Sequence, residues 1–129
     1  MEKYQFCVPS FSDDKLREFL YLATSRCVRG LFLANKRDLD AAPEFSQQIT
    51  SEINKMVIVM HCTVIRAKSA YLSENPQASQ TQLAAFVWAI VRWCFSVIMK
   101  KYRDYHDLAA VEAEHIDEIL GPDCEEVAR

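Results

Sequence analysis

The sequence predicts an all-α fold, and three observations lead to that expectation. Glycine and proline together supply six of the 129 residues. That is fewer than half of what an average usage of about 12% would give, and the turns of all-β folds need those residues. Half of the residues are hydrophobic and recur at helical spacing, and the length is that of one domain. We therefore expect a single-domain helical bundle of about four helices over residues 1–129, with two long antiparallel helices and a short acidic C-terminal tail.

The first helix is expected to begin after Ser12, because serine is a favoured N-cap and two aspartates follow it at the positive end of the helix dipole. An apolar stripe with a period of about 3.6 residues then continues to Cys27. Gly30 suits the position just after the last helical residue. Charged and polar residues without a period predict a loop over residues 35–43.

The second helix is expected to begin at Pro43, which suits a first helical position, and to continue to about residue 72. Its middle, residues 56–65, is rich in β-branched side chains and would pass for a buried strand if taken alone. A helix is the preferred interpretation because no turn signals bound this stretch. An α+β fold with a strand at residues 56–65 remains the alternative.

A break is predicted at residues 73–79, because Pro76 disfavours the helical conformation of the residue before it. Ser79 and Gln82 then have the spacing of a capping box. The third helix should run over about residues 80–105 and form a helical hairpin with the second.

Residues 83–99 of the third helix are apolar nearly all round, which is typical of a central bundle helix or of a membrane span. Seventeen residues are at the lower limit of a span, and Arg92 near the centre would be costly in lipid. Burial in protein is therefore preferred. A membrane segment flanked by Lys100, Lys101 and Arg103 is the alternative.

A fourth helix is expected over residues 107–120, ended by Gly121 and Pro122. The C-terminal region is strongly acidic, since residues 104–129 hold nine acidic residues and one basic residue, a net charge of −8. A surface of that sign attracts basic partners and repels nucleic acid. Its alternative role is a solvated face that aids solubility.

A basic cluster follows the first helix and raises the question of nucleic-acid binding. The isoelectric point of 5.6 and the acidic C-terminal region make that the weaker hypothesis. The cluster consists of Arg26, Arg29, Lys36 and Arg37.

The five cysteines are odd in number, widely spaced and without a CxxC pair, and the first residues lack the pattern of a signal peptide. These features predict a protein of the reducing cytoplasm. Cys27, Cys62 and Cys94 lie in apolar stretches and are expected to pack in the core.

Motifs that carry catalysis or bind metal are weak or absent. Glu112 and His115 form an E-x-x-H pair, but carboxylate-bridged di-metal bundles need two such pairs. His61 and Cys62 are adjacent and point in different directions on a helix, so core packing is expected for His61. Nucleophile elbows, P-loops and zinc-finger spacings do not occur. We therefore expect a protein that is not an enzyme and uses no cofactor or metal.

The densest polar and aromatic cluster covers residues 102–107, at the junction with the acidic region. Tyrosine and arginine are favoured interface anchors, so this cluster and the acidic residues after it are the predicted partner-binding surface. The alternative is a helix end whose rings cover the core and whose charges face water. The candidate partner-binding residues are Tyr102, Tyr105, Asp107, Glu112, Glu114, Asp117 and Glu118.

A small, acidic, helical and motif-poor chain with a charged terminal helix resembles the immunity proteins and antitoxins that neutralise basic bacterial toxins, including those of contact-dependent growth inhibition systems. The resemblance is one of overall character across the whole chain, and no residue is carried over from it. It implies a non-catalytic cytoplasmic protein that binds and masks a basic toxin domain, often a nuclease.

A second hypothesis is a helical homodimer that acts as a regulator or adaptor and could bind nucleic acid. Trp88, Trp93 and Phe95 would then supply the apolar interface between the two copies.

Overall fold

The computed structural model describes residues 12–109, and three helices make up its regular structure. Helix α1 spans Asp13–Ala34, α2 spans Pro43–Glu74 and α3 spans Gln80–Tyr105. No strand occurs among the described residues, which confirms the all-α prediction for them. The expected number of about four helices is too high for this part of the chain, which holds three.

Helix α2 is the central helix and packs against both α1 and α3. The rings of Phe32, near the end of α1, and Phe45, near the start of α2, are 5.7 Å apart. Tyr71, near the end of α2, stacks on Phe86, near the start of α3, at 4.3 Å. Both connections are therefore antiparallel hairpins, and the predicted pair of long antiparallel helices is α2 and α3.

The alternative strand at residues 56–65 is wrong, because these residues lie within α2. Val57, Met60 and Val64 are buried, while Ile58 and Val59 are about half exposed, at 47% and 55%. A strand would bury alternate residues, whereas this spacing of three and four is that of one helix face. The neighbouring helices cover that face, so packing outweighs the strand preference of β-branched residues.

Helix α1 continues beyond Gly30, which was predicted to end it. The two residues after this glycine are buried, and their burial offsets the cost of a glycine within a helix, about 1 kcal/mol. The helix ends instead in a Schellman motif, in which the N–H groups of Lys36 and Arg37 donate to the carbonyls of Leu33 and Phe32 at 2.9 and 2.8 Å. Lys36 takes the left-handed conformation, with φ of 57°, that glycine usually adopts there.

Helix α3 begins and ends through local hydrogen bonds. Its predicted capping box is confirmed, since Gln82 N donates to Ser79 Oγ at 3.1 Å and Ser79 N donates to Gln82 Oε1 at 2.9 Å. Asp107, with φ of 53°, ends the helix in a second Schellman motif. A fourth helix therefore does not begin at Asp107, and the rest of the predicted helix lies outside the described residues.

The core lies between the three helices. Two expectations about which single residues belong to it are wrong. Cys27 and Cys94 are buried as predicted, but Cys62 is exposed because it lies on the outer face of α2. His61 is half-buried rather than packed in the core, and its Nε2 lies 2.9 Å from the Asp13 carbonyl oxygen. The largest fully buried side chains include Leu20, Phe32, Met60, Val64, Trp88 and Phe95.

Trp88 and Phe95 cannot supply a dimer interface in this fold, because both are fully buried. Of the three residues predicted for that interface, Trp93 alone is exposed, at 61%. Helix α3 is nevertheless long and apolar enough to cross a membrane by length and composition. Core helices pass the same test, so this property is weak evidence for a membrane segment.

We predict that Phe32→Ala lowers the free energy of unfolding by about 3–5 kcal/mol, because it empties a fully buried site that three other rings contact. Leu33→Ala is the matched control next to it. Leu33 is 78% exposed, so this change should stay within about 0.5 kcal/mol of the wild type. Denaturant unfolding curves measure both, and equal losses would contradict the described packing of α1.

Candidate partner-binding site

The predicted binding cluster lies at the end of the bundle where α1 ends, α2 begins and α3 ends. We call this region, with the connecting residues 35–42, the loop end. Arg37 Nη1 donates to the carbonyl of His106 at 2.9 Å, which joins the loop to the end of α3. The guanidinium of Arg37 also lies 5.2 Å from the centre of the Phe32 ring. The end of α3 is thus held by a cation that also contacts α1.

Asn35 makes a second connection across the loop end. Its side-chain Nδ2 donates to the carbonyl of Leu31 at 2.8 Å and helps to cap α1. Its Oδ1 accepts from the backbone N–H of Ala109 at 2.9 Å. The chain beyond α3 is therefore fixed beside the α1–α2 loop at the last described residue.

Glu52, on α2, is the centre of a polar network inside the loop end. Its Oε1 accepts from Tyr102 Oη at 2.9 Å and from His106 Nε2 at 2.8 Å. His106 must donate in this contact, because an ionised carboxylate has no proton to give. Gln48 Nε2 donates to the other oxygen, Oε2, at 3.1 Å. One carboxylate therefore joins Tyr102 of α3, and His106 directly after α3, to α2.

The network changes the acidity of its members. Burial by itself would raise the pKa of Glu52, but the hydrogen bonds from Gln48, His106 and Tyr102 outweigh it and lower the pKa below its ordinary value. Burial and the bond to this carboxylate raise the pKa of Tyr102 far above its usual range. Glu52 is therefore ionised and Tyr102 protonated at neutral pH.

The two tyrosines of the predicted site have different environments. Tyr102 is 6% exposed and belongs to the core, whereas Tyr105 is 74% exposed. The Tyr105 ring meets His106 edge to face, with centroids 5.0 Å apart. Because Glu52 holds His106, the exposed ring rests on a fixed support. Asp107 is exposed beside it, and Asp104 adds a second exposed carboxylate.

The remaining predicted site residues, Glu112, Glu114, Asp117 and Glu118, lie outside the described residues, as does the E-x-x-H pair. Sequence reasoning missed Glu52, Asn35 and Arg37 as parts of this region. Glu52 is 50 residues from Tyr102, and a single glutamate on an amphipathic helix looks like any solvated residue. Only the fold brings these residues together.

An open cleft of about 360 Å³ adjoins the network on the outside of the loop end. Its lining combines three cations, two aspartates and two leucines, so it presents charge and apolar surface together. Three of the four residues of the predicted basic cluster line it, and Arg26 does not. The lining residues are Arg29, Leu33, Lys36, Arg37, Asp38, Leu39 and Asp40.

Within the described residues, no group of three histidine, cysteine or acidic side chains is placed to hold a metal ion. The Glu52 carboxylate already accepts three hydrogen bonds from protein side chains. Chemically, the arrangement presents a fixed helix end with the exposed Tyr105 ring and exposed carboxylates.

No protein-family model matches the chain, and neither the curated proteins nor the solved structures contain a match to it. The residues and geometry of the loop end are therefore the basis for inferring a function.

We predict that stability decreases with acid partly through Glu52. Because its folded-state pKa is lowered, its contribution is present above the unfolded pKa and is lost as the pH falls through the folded value. Glu52→Gln should therefore lose less free energy of unfolding than the wild type between about pH 7 and about pH 3. Glu44→Gln, at an exposed position of the same helix, should behave as the wild type does. The idea fails if both variants show the wild-type pH dependence in denaturant unfolding.

Proposed function

We propose that this chain is a non-catalytic cytoplasmic protein that binds a basic protein partner through the loop end and its acidic continuation, in the manner of an immunity protein or antitoxin. The partner on this proposal is a basic toxin domain such as a nuclease, because a nuclease needs positive charge to hold phosphates. The proposal requires no cofactor, metal, membrane or nucleic acid.

The observation that supports the proposal best is the exposure of Tyr105 on a fixed support. A large ring that is 74% exposed and rests against His106 has little freedom left to lose on binding. Tyrosines of this kind are enriched among the residues that dominate binding energy. Exposed carboxylates at Asp104 and Asp107 flank the ring and suit a cationic partner surface.

The acidic region supplies the second part of the argument. Residues 104–129 have a net charge of −8 and begin at the last turn of α3, next to Tyr105. An excess of acidic charge beside an aromatic anchor raises the encounter rate with a basic partner and disfavours partners of like charge.

The first experiment is to find the partner and test its chemistry. The full chain is used as bait in its host, the bound protein is identified, and the same protein is expressed with and without the chain. The proposal predicts a basic partner whose toxicity the chain abolishes. A partner that is acidic, or one whose activity the chain leaves unchanged, would overturn it.

We predict that the fourfold variant Glu112→Gln, Glu114→Gln, Asp117→Asn and Glu118→Gln associates more slowly with that partner and with a weaker dependence on salt. The matched control neutralises four exposed carboxylates of the helices, through Asp14→Asn, Glu18→Gln, Glu44→Gln and Glu74→Gln. Both variants change the net charge equally. Association rates at two ionic strengths distinguish them, and equal slowing would assign the effect to net charge rather than to the acidic region.

We predict that Tyr105→Ala acts mainly on dissociation. Loss of an interface anchor costs about 2 kcal/mol, which corresponds to roughly thirtyfold faster dissociation. Tyr21→Ala is the control, since Tyr21 is partly exposed on α1, far from the predicted site in sequence. If both variants dissociate at the wild-type rate, Tyr105 is not an anchor.

A homodimer is the second candidate function. The outer face of α2 suits a dimer interface better than α3 does. Ile58, Cys62 and Leu72 lie at helical spacing on that face, with Val59 beside them. Ile58, Val59 and Leu72 are exposed large hydrophobics, and their exposure on one face supports its use as an interface.

We predict that, if this face joins two copies, Ile58→Lys with Val59→Lys converts a dimer to a monomer in sedimentation equilibrium. Leu22→Lys with Leu33→Lys is the control on α1, where both leucines are exposed, and should leave the dimer intact. A wild-type chain that stays monomeric at the highest soluble concentration would exclude the second candidate.

A further inference from the structure

The cleft of the loop end is lined by cations, two of which have no partner among the described residues. Among the described residues, the side chains of Arg29 and Lys36 form no hydrogen bond or ion pair, whereas Arg37 is engaged with the end of α3. Asp38 also lines the cleft, but its Oδ1 accepts from the backbone N–H of Asp40 at 2.9 Å. Two positive charges are thus available beside an exposed leucine, Leu33.

The chain leaves the described structure next to this cleft. The backbone N–H of Ala109 is bonded to Asn35, and Asn35 immediately precedes Lys36. The remaining twenty residues, 110–129, could extend to roughly 68 Å if fully stretched. The cleft lies beside the start of this segment, so residues 110–129 can reach it.

The two parts of the chain also have opposite charges. Residues 12–109 hold thirteen basic and ten acidic residues, a net charge of +3, while residues 110–129 hold one basic and seven acidic residues, a net charge of −6. Apolar residues such as Val111 and Ile116 are interspersed among those acids, which suits the three cations and two leucines of the cleft, although two aspartates also line it. Because the segment is covalently attached, its effective concentration at the cleft is on the order of millimolar, so a weak contact is enough.

We propose that residues 110–129 dock in cis on the cleft of the loop end, with their carboxylates facing Arg29 and Lys36. This goes beyond the proposed partner binding, because it is a contact within one chain and holds or fails without any partner. A basic partner that uses the same carboxylates must displace the segment from the cleft.

The test uses the full chain with a nitroxide spin label on Cys124. Cys7→Ser and Cys62→Ser leave the two buried cysteines, Cys27 and Cys94, as the other thiols. Burial raises the pKa of both thiols, that of Cys27 to about 11, so the label should react at Cys124. At low salt we expect the amide signals of Arg29 and Lys36 to be lost in the labelled protein and to return when the label is reduced.

Two variants of equal charge decide the interpretation. Arg29→Glu with Lys36→Glu should restore the amide signals of the cleft in the labelled protein, and so should high salt. Arg17→Glu with Arg66→Glu, at exposed positions away from the loop end, should leave the signal loss unchanged. The proposal is overturned if the cleft signals persist in the labelled wild type, or if both variants restore them equally. A two-dimensional amide spectrum of each unlabelled variant verifies that it is folded.

Discussion

The carboxylate of Glu52 is the interaction on which the loop end depends. It accepts a hydrogen bond from Tyr102, in the last turn of α3, and another from His106, directly after that helix. A half-buried carboxylate is costly unless its oxygens are satisfied, so these donors are required once the helices pack. The same bonds fix His106, whose ring contacts Phe32 on α1 and Tyr105 on the surface. The position of the end of α3 thus depends in large part on one half-buried acceptor.

Features that depend on neighbours in sequence could be predicted from the sequence. The capping box of Ser79 and Gln82 lies within four residues, and it placed the start of α3 correctly. Ser12 and Pro43 likewise marked the starts of α1 and α2. The end of α1 could not be predicted, because Lys36 adopts a left-handed conformation that glycine usually supplies. Gly30 was misleading for a different reason: the two residues after it are buried, and their burial favours continuation of the helix.

Features that depend on contacts between helices were beyond the sequence. Tyr102 and Tyr105 are three residues apart and look equivalent as interface anchors, yet one is 6% and the other 74% exposed. Trp88 and Trp93 differ in the same way, as fully buried and largely exposed residues of one apolar helix. Which residues of α3 are covered depends on how α1 and α2 pack against it, and the sequence does not contain those contacts. The acidic C-terminal charge, in contrast, is a property of composition and was visible at once.

The central claim is that Glu52 organises the loop end through its bonds to α3, and a double-mutant cycle between Glu52→Ala and Tyr102→Phe tests it most directly. Each variant and the double variant are unfolded with denaturant, and the coupling free energy is obtained from the four values. A hydrogen bond to a charged acceptor predicts a coupling of about 1.5–3 kcal/mol. Losses that simply add would contradict the claim, because they would show that the two side chains stabilise the bundle independently.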